Sequence, residues 1–231
     1  MSTMGGITLA TTIATAANAA PATPGAATQR SLPLANTAES VVSIKLDSTQ
    51  APDLADWLQN EVQPVLKTWY PQIQSTLGGH TPNSFSVTIS SSYDGVAYTA
   101  GDEIVLSADY FRAHHSDVGA VVHESVHVAQ QAHGIQGWAV EGAADWFRYY
   151  RYEGHGRPKP PANASWTEGY GTTAYFFEYI RSHYDTNFLR QLQAAGQSGG
   201  NAETVIQQST GTSTAQVWDE MQSRASQDLS G

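Results

Sequence analysis

The chain contains no cysteine. That absence excludes disulfides, thiolate metal sites, iron–sulfur clusters and a cysteine nucleophile. Positive charge is scarce. Eleven Lys and Arg stand against 21 Asp and Glu, giving a formal net charge of −10 and a pI near 5.1. An acidic balance argues against nucleic acid or an anionic membrane as the main partner. No apolar run approaches the roughly 18 residues needed to span a bilayer, so no membrane partner is expected. Residues 1–29 hold no charged residue and no histidine. Within them Ile7 to Ala20 reads as a weak secretory core, and Ala17-Asn18-Ala19 as an A-x-A cleavage site. The core is Thr-rich and no Lys or Arg precedes it. Residues 1–33 are therefore expected to be a leader and linker, either a degraded or truncated signal peptide or a disordered leader, and the protein is expected to be secreted.

What is present suits one domain over 34–231. Hydrophobic residues make up 40% and aromatics 10% of the 231 residues, including six Trp, which is enough to fill a core. Residues 41–46 read as a strand. Leu54, Trp57, Leu58, Val62, Leu66, Trp69 and Ile73 keep helical spacing, with Pro64 expected to kink that helix and Gly78-Gly79 to end it. Phe85, Val87 and Ile89 alternate with polar residues as in a half-buried strand. Turn signals at 93–95 and 100–102 separate strands at 96–98 and 104–106, which predicts an antiparallel meander. The rest reads as helices over 116–133, 139–152, 167–184, 186–195, 202–209 and 214–228. A small antiparallel or mixed sheet followed by a mostly helical half is an α+β plan.

The chemistry concentrates in Val121-Val122-His123-Glu124-Ser125-Val126-His127. Residues four apart lie on one helix face, so His123 and His127 can hold one Zn²⁺ from the same side. Glu124 sits at the edge of that face, where it can take a proton from a water at the metal. With eight His in the chain, chance yields about 0.01 such motifs. The alternative, an exposed helix with two unrelated histidines, fits poorly with the valines around it.

A catalytic zinc wants a third protein ligand and one open position. His133 matches metzincin spacing, but those proteins need Gly where this chain has Gln130. If the helix continues to about Ala132, His133 is carried to another face and away from the metal. Gly134 and Gly137 are then expected to end the helix and reverse the chain. That reversal returns Glu141 to the level of His127 and puts Asp145 one turn beyond, placed to bond a ligating ring N–H. Glu141 is the preferred ligand, with Asp145 and His133 as alternatives. Two merely solvated carboxylates would be the other explanation, but Trp138, Val140, Ala143, Ala144 and Trp146 flank them.

The run H-E-S-V-H-V-A-Q, then W-A-V-E-G-A-A-D-W-F-R-Y, then T-E-G-Y-G-T-T-A-Y-F-F-E-Y-I resembles the plant and microbial basic secretory protein family over roughly 41–229. These are zinc metallopeptidases whose site is similar to that of the gluzincins. The resemblance implies a zincin-like fold, His123, His127 and Glu141 as ligands, Glu124 as general base, and Asp145 behind a ligand. The chain departs from the family in being acidic.

Peptide hydrolysis also needs a donor for the developing oxyanion. Tyr170 between Gly169 and Gly171 is the candidate, with Tyr149 and Tyr150 as fallbacks; an ordinary packing aromatic is the competing role. The strand at 104–106 is expected, by analogy with zincins, to line the cleft and pair with an extended peptide. His114-His115 reads as a solvated pair. Asn163-Ala164-Ser165 is a formal glycosylation sequon, and no EF-hand loop occurs. The expected function is a secreted, monomeric, zinc-dependent endopeptidase acting on peptide or protein substrates. A zinc amidase or aminopeptidase would use the same residues. A binding or defence protein with little turnover would not need Glu124.

Overall fold

The computed structural model describes residues 42–131 and 134–224. The leader expected over 1–33 and His133 lie outside the described residues. The fold is α+β: a four-stranded mixed sheet with a mostly helical remainder. Strand β1 (Ser43–Asp47) leads through a short helix α1 (Ala55–Trp57) and a π-helical turn (Leu58–Val62) into α2 (Gln63–Leu77). The disturbance expected at Pro64 takes the form of that π turn, since proline has no N–H to return to the preceding turn. Gly78, at φ 65°, ends α2.

Strands β2 (Ser84–Ser90), β3 (Ala97–Ala100) and β4 (Glu103–Ser107) complete the sheet in the order β1-β2-β4-β3. The expected antiparallel meander is corrected here. Only β3 and β4 form an antiparallel hairpin; β1–β2 and β2–β4 are parallel. Burial explains the order. Phe85, Val87, Ile89, Ile104, Val105 and Leu106 are all buried, which suits inner strands. Short β3, with Tyr98 exposed, suits an edge.

A helix not anticipated, α3 (Ala108–Ala113), follows directly, with the Ser107 hydroxyl accepting from the Tyr110 N–H. The central helix α4 (Val118–Gln130) packs against α2, α5, β3 and β4. Val121, Val122, Val126 and Val128 are fully buried in it. Each such burial is worth about 1.5–3 kcal/mol, which is why this helix occupies the middle of the molecule. It ends earlier than expected and by a different residue. Gln131, not a glycine, takes the left-handed conformation at φ 43°, and its side chain donates to the Gly101 and Val128 carbonyls. Outside glycine that backbone costs about 1–2 kcal/mol, which these bonds offset.

Gly137 is accordingly not part of the stop: it opens α5 (Gly137–Trp146), which runs on into a π-helical turn (Phe147–Tyr152). Helix α6 (Tyr170–His183) crosses α5 closely. A Cβ on Gly142 would stand 2.2 Å from Thr173 Cγ2, so the glycine permits the approach. Helices α7 (Phe188–Gln197), α8 (Ala202–Thr210) and α9 (Thr214–Ser223) close the helical side through Phe188, Leu192, Ile206, Val217 and Trp218.

Candidate metal centre

Helices α4 and α5 run antiparallel, as three contacts between them require. Gln130 Nε2 donates to the Val140 carbonyl at 3.0 Å, His127 Nε2 lies 3.4 Å from Glu141 Oε2, and His123 Nδ1 lies 2.7 Å from Asp145 Oδ1. The register follows from the lengths: a short connection returns the chain so that Glu141 stands level with the histidine pair.

His123 Nε2 is 3.1 Å from His127 Nε2 and 3.2 Å from Glu141 Oε2. The three side chains thus form a group that could hold a metal ion. Donors on a tetrahedral ion with bonds of about 2.0–2.1 Å stand about 3.3–3.4 Å apart, close to these separations. The chemistry of the donors fits as well. Each Nδ1 faces an acceptor: Asp145 Oδ1 for His123, and Gln130 Oε1 at 2.7 Å for His127. Nδ1 then carries the hydrogen in the neutral rings, and both Nε2 lone pairs converge on Glu141 Oε2. Three lone pairs this close repel one another unless a cation or a proton lies among them.

Electrostatics couple the same residues. Burial opposes charge on His123, but the hydrogen bonds to Asp145 and Glu141 outweigh it and raise its pKa to about 9. Burial would raise Glu141, yet its bonds to His123 and His127 dominate and pull it down to about 2.

Glu124 is 8% exposed and stands beside the triad rather than in it. Thr99 Oγ1, on the edge strand, donates to Glu124 Oε2 at 2.8 Å and lies 3.0 Å from its carbonyl. All four side chains open onto a cleft of about 640 Å³. The strand facing this cleft differs from expectation. Residues 104–106 belong to β4, which is paired on both sides; Val96 and, from β3, Ala97, Tyr98 and Thr99 line the cleft instead.

Tyr170 opens α6 at φ 46°, an unusual conformation for a side-chain-bearing residue, after Gly169 at φ 77°. A Cβ on Gly169 would sit 3.6 Å from Glu141 Cβ, so the chain passes directly over Glu141. The Tyr170 ring stacks near His123, centroids 6.2 Å apart, and the residue is 56% exposed in the cleft. The Glu141 charge, then burial, raise its pKa, so the phenol remains a hydrogen donor. Tyr149 also lines the cleft, whereas Tyr150 is not among its lining residues. His114 stacks on Tyr110 and is exposed, apart from the triad.

Two polar partners were not legible beforehand. Gln130 orients His127, and its position one turn further on was the available signal. Thr99 bonds Glu124 from 25 residues upstream, and no local pattern announces it.

The molecule is α+β, with a His-His-Glu group that could hold a metal ion and a further carboxylate, Glu124, beside it. The chain belongs to the basic secretory protein family, described as a peptidase of plants and bacteria, whose model matches residues 29–221. No curated protein matches the chain significantly.

Proposed function

We propose that the chain is a secreted, monomeric, zinc-dependent endopeptidase with a zincin-like catalytic domain over 34–231 behind the leader 1–33. Its main support is the convergence of the His123, His127 and Glu141 donors at 3.1–3.4 Å beside an uncoordinated Glu124, in a chain of a peptidase family. Imidazole and carboxylate donors without thiolate suit zinc with one position left open. Zinc held by these residues supplies a Lewis acid that acidifies water and polarises the scissile carbonyl. Glu124 takes the proton of the attacking water and passes it to the leaving amine. Thr99 holds one of its oxygens and leaves the other free for that transfer. Asp145 and Gln130 keep the two imidazoles in the ligating tautomer. Tyr170 donates its hydroxyl to the oxygen that gains charge. Peptide hydrolysis that a chelator abolishes and added zinc restores is the direct test; hydrolysis indifferent to chelation overturns the metal-dependent reading.

Zinc binding at pH 7 is expected to release about one proton, because His123 must lose the proton it holds in the metal-free chain. The release should shrink as pH rises through about 9, the metal-free pKa of His123. Titration calorimetry in buffers of different ionisation enthalpy reads this number. A heat independent of buffer at pH 7 counts against it.

Tyr170→Phe is expected to lower kcat by about 10²–10³-fold, the loss of one oxyanion donor. Zinc content and KM should change little. Unchanged kcat removes Tyr170 from the mechanism.

A further inference from the structure

Two cations line the cleft that holds the metal donors, Arg148 and Arg157. They differ in what they already bind. Arg148 is committed to the fold: its guanidinium lies 2.7 Å from Asp117 Oδ1 and 2.8 Å from Glu153 Oε1. Arg157 has no carboxylate within ion-pair distance among the described residues, although the chain carries ten more acidic than basic groups. It is exposed, yet not loose. Its guanidinium carbon sits 4.6 Å from the centre of the Tyr149 ring, a cation–π contact that covers one face. Its Nε passes the backbone at Gly171, where a Cβ would stand 2.7 Å away. Gly171 adjoins Tyr170, whose ring stacks near His123. The guanidinium is thus held from two sides in the wall of the cleft, with its charge unspent.

We propose that Arg157 is a specificity-determining residue that binds a substrate carboxylate, either an acidic side chain near the scissile bond or a free C-terminus. The inference rests on the peptidase reading. A planar guanidinium with a stacked face presents its edge N–H groups as a fork that matches a carboxylate. Glu124, Glu141 and Asp145 would otherwise make this cleft hostile to an anionic substrate. A cation with no ion pair to the fold, lining the same cleft beside Tyr149 and Gly171, reverses that bias locally. A purely structural arginine would instead resemble Arg148, bridged to carboxylates of its own chain.

The test uses three fluorogenic peptides of one sequence: Glu near the scissile bond with an amidated C-terminus, Gln at that place with an amidated C-terminus, and Gln with a free C-terminus. The full chain loaded with zinc is expected to favour one carboxylate-bearing peptide over the doubly neutral one by about 10–100-fold in kcat/KM, as for a charge-assisted hydrogen-bond pair. Which of the two is favoured identifies the source. Arg157→Met should bring that ratio to one or below. Gly171→Ala keeps the arginine but displaces it, and should lower the ratio as well. Peptide affinities for zinc-loaded Glu124→Gln, read by fluorescence anisotropy, should show the same preference, and the double variant with Arg157→Met should lose it. A preference that is absent in the parent, or unaltered by Arg157→Met, overturns the proposal while hydrolysis of the neutral peptide leaves the peptidase reading standing. If no peptide is cleaved, the peptidase reading fails, and the anisotropy ratios decide the carboxylate site separately.

Discussion

Glu124→Gln is expected to retain about one zinc per chain and to lose about 10²–10⁴-fold in kcat, the range for removing a positioned proton-transfer group. The two outcomes separate because the two tasks fall on different side chains. The metal-ready group consists of His123, His127 and Glu141, and Glu124 is not among them. Glutamine keeps the size of the side chain and an oxygen that can still accept from Thr99 Oγ1, so the buried edge of α4 should not reorganise. What disappears is the basicity. Elemental analysis and single-turnover kinetics on the same preparation check both halves. Loss of zinc comparable to that of His123→Ala would mean that Glu124 is a ligand. Full activity would mean that no proton passes through it, and the hydrolytic mechanism would fail.

Glu141→Ala is expected to weaken zinc binding by more than about 100-fold, beyond the 10–100-fold typical of losing an outer hydrogen-bond partner. Asp145→Ala should fall within that lower range, because its carboxylate touches His123 Nδ1 at 2.7 Å and not the converging Nε2 atoms. Asp145→Asn probes the same bond with less change of volume and should be milder. The order Glu141 before Asp145 follows from the antiparallel register, which sets Glu141 Oε2 against both Nε2 atoms. Competition with a chromophoric chelator gives the affinities. His133 lies outside the described residues, and His133→Ala is expected to be nearly silent. Loss of metal in His133→Ala, with Glu141→Ala unaffected, would place the protein in the other branch of ligand arrangement.

The histidine pair and Glu124 beside it were legible from residue order because helical spacing is local. Four residues make one turn, whatever the rest of the chain does. Glu141 and Asp145 were nearly as legible, since a short connection between two helices leaves few ways to return. Even there the reason for the turn was misread. Gln131 ends α4 in a left-handed conformation, supported by bonds to Val128 and to Gly101 of the distant hairpin. A residue without special propensity can end a helix when a tertiary partner offsets the cost.

The sheet was less legible, and for a related reason. The apolar alternation of β2 and the apolar run of β4 mark strands but not their neighbours. Parallel pairing of β2 with β4 depends on a chain that passes out through β3 and back, a choice that goes with burial of the apolar residues of both strands. That choice leaves β3 as the edge, brings Thr99 onto Glu124, and makes Val96 to Thr99 the wall of the cleft. Arg157 belongs to the same class. In the sequence it is one arginine among prolines and glycines; only packing against Tyr149 and Gly171 sets it in the cleft. The His-His-Glu group and the position of Glu124 beside it thus follow from spacing along one helix and its return. The tautomers of the histidines, the anchoring of the base and the charge of the cleft wall follow from contacts between residues far apart in the chain, which local spacing does not encode.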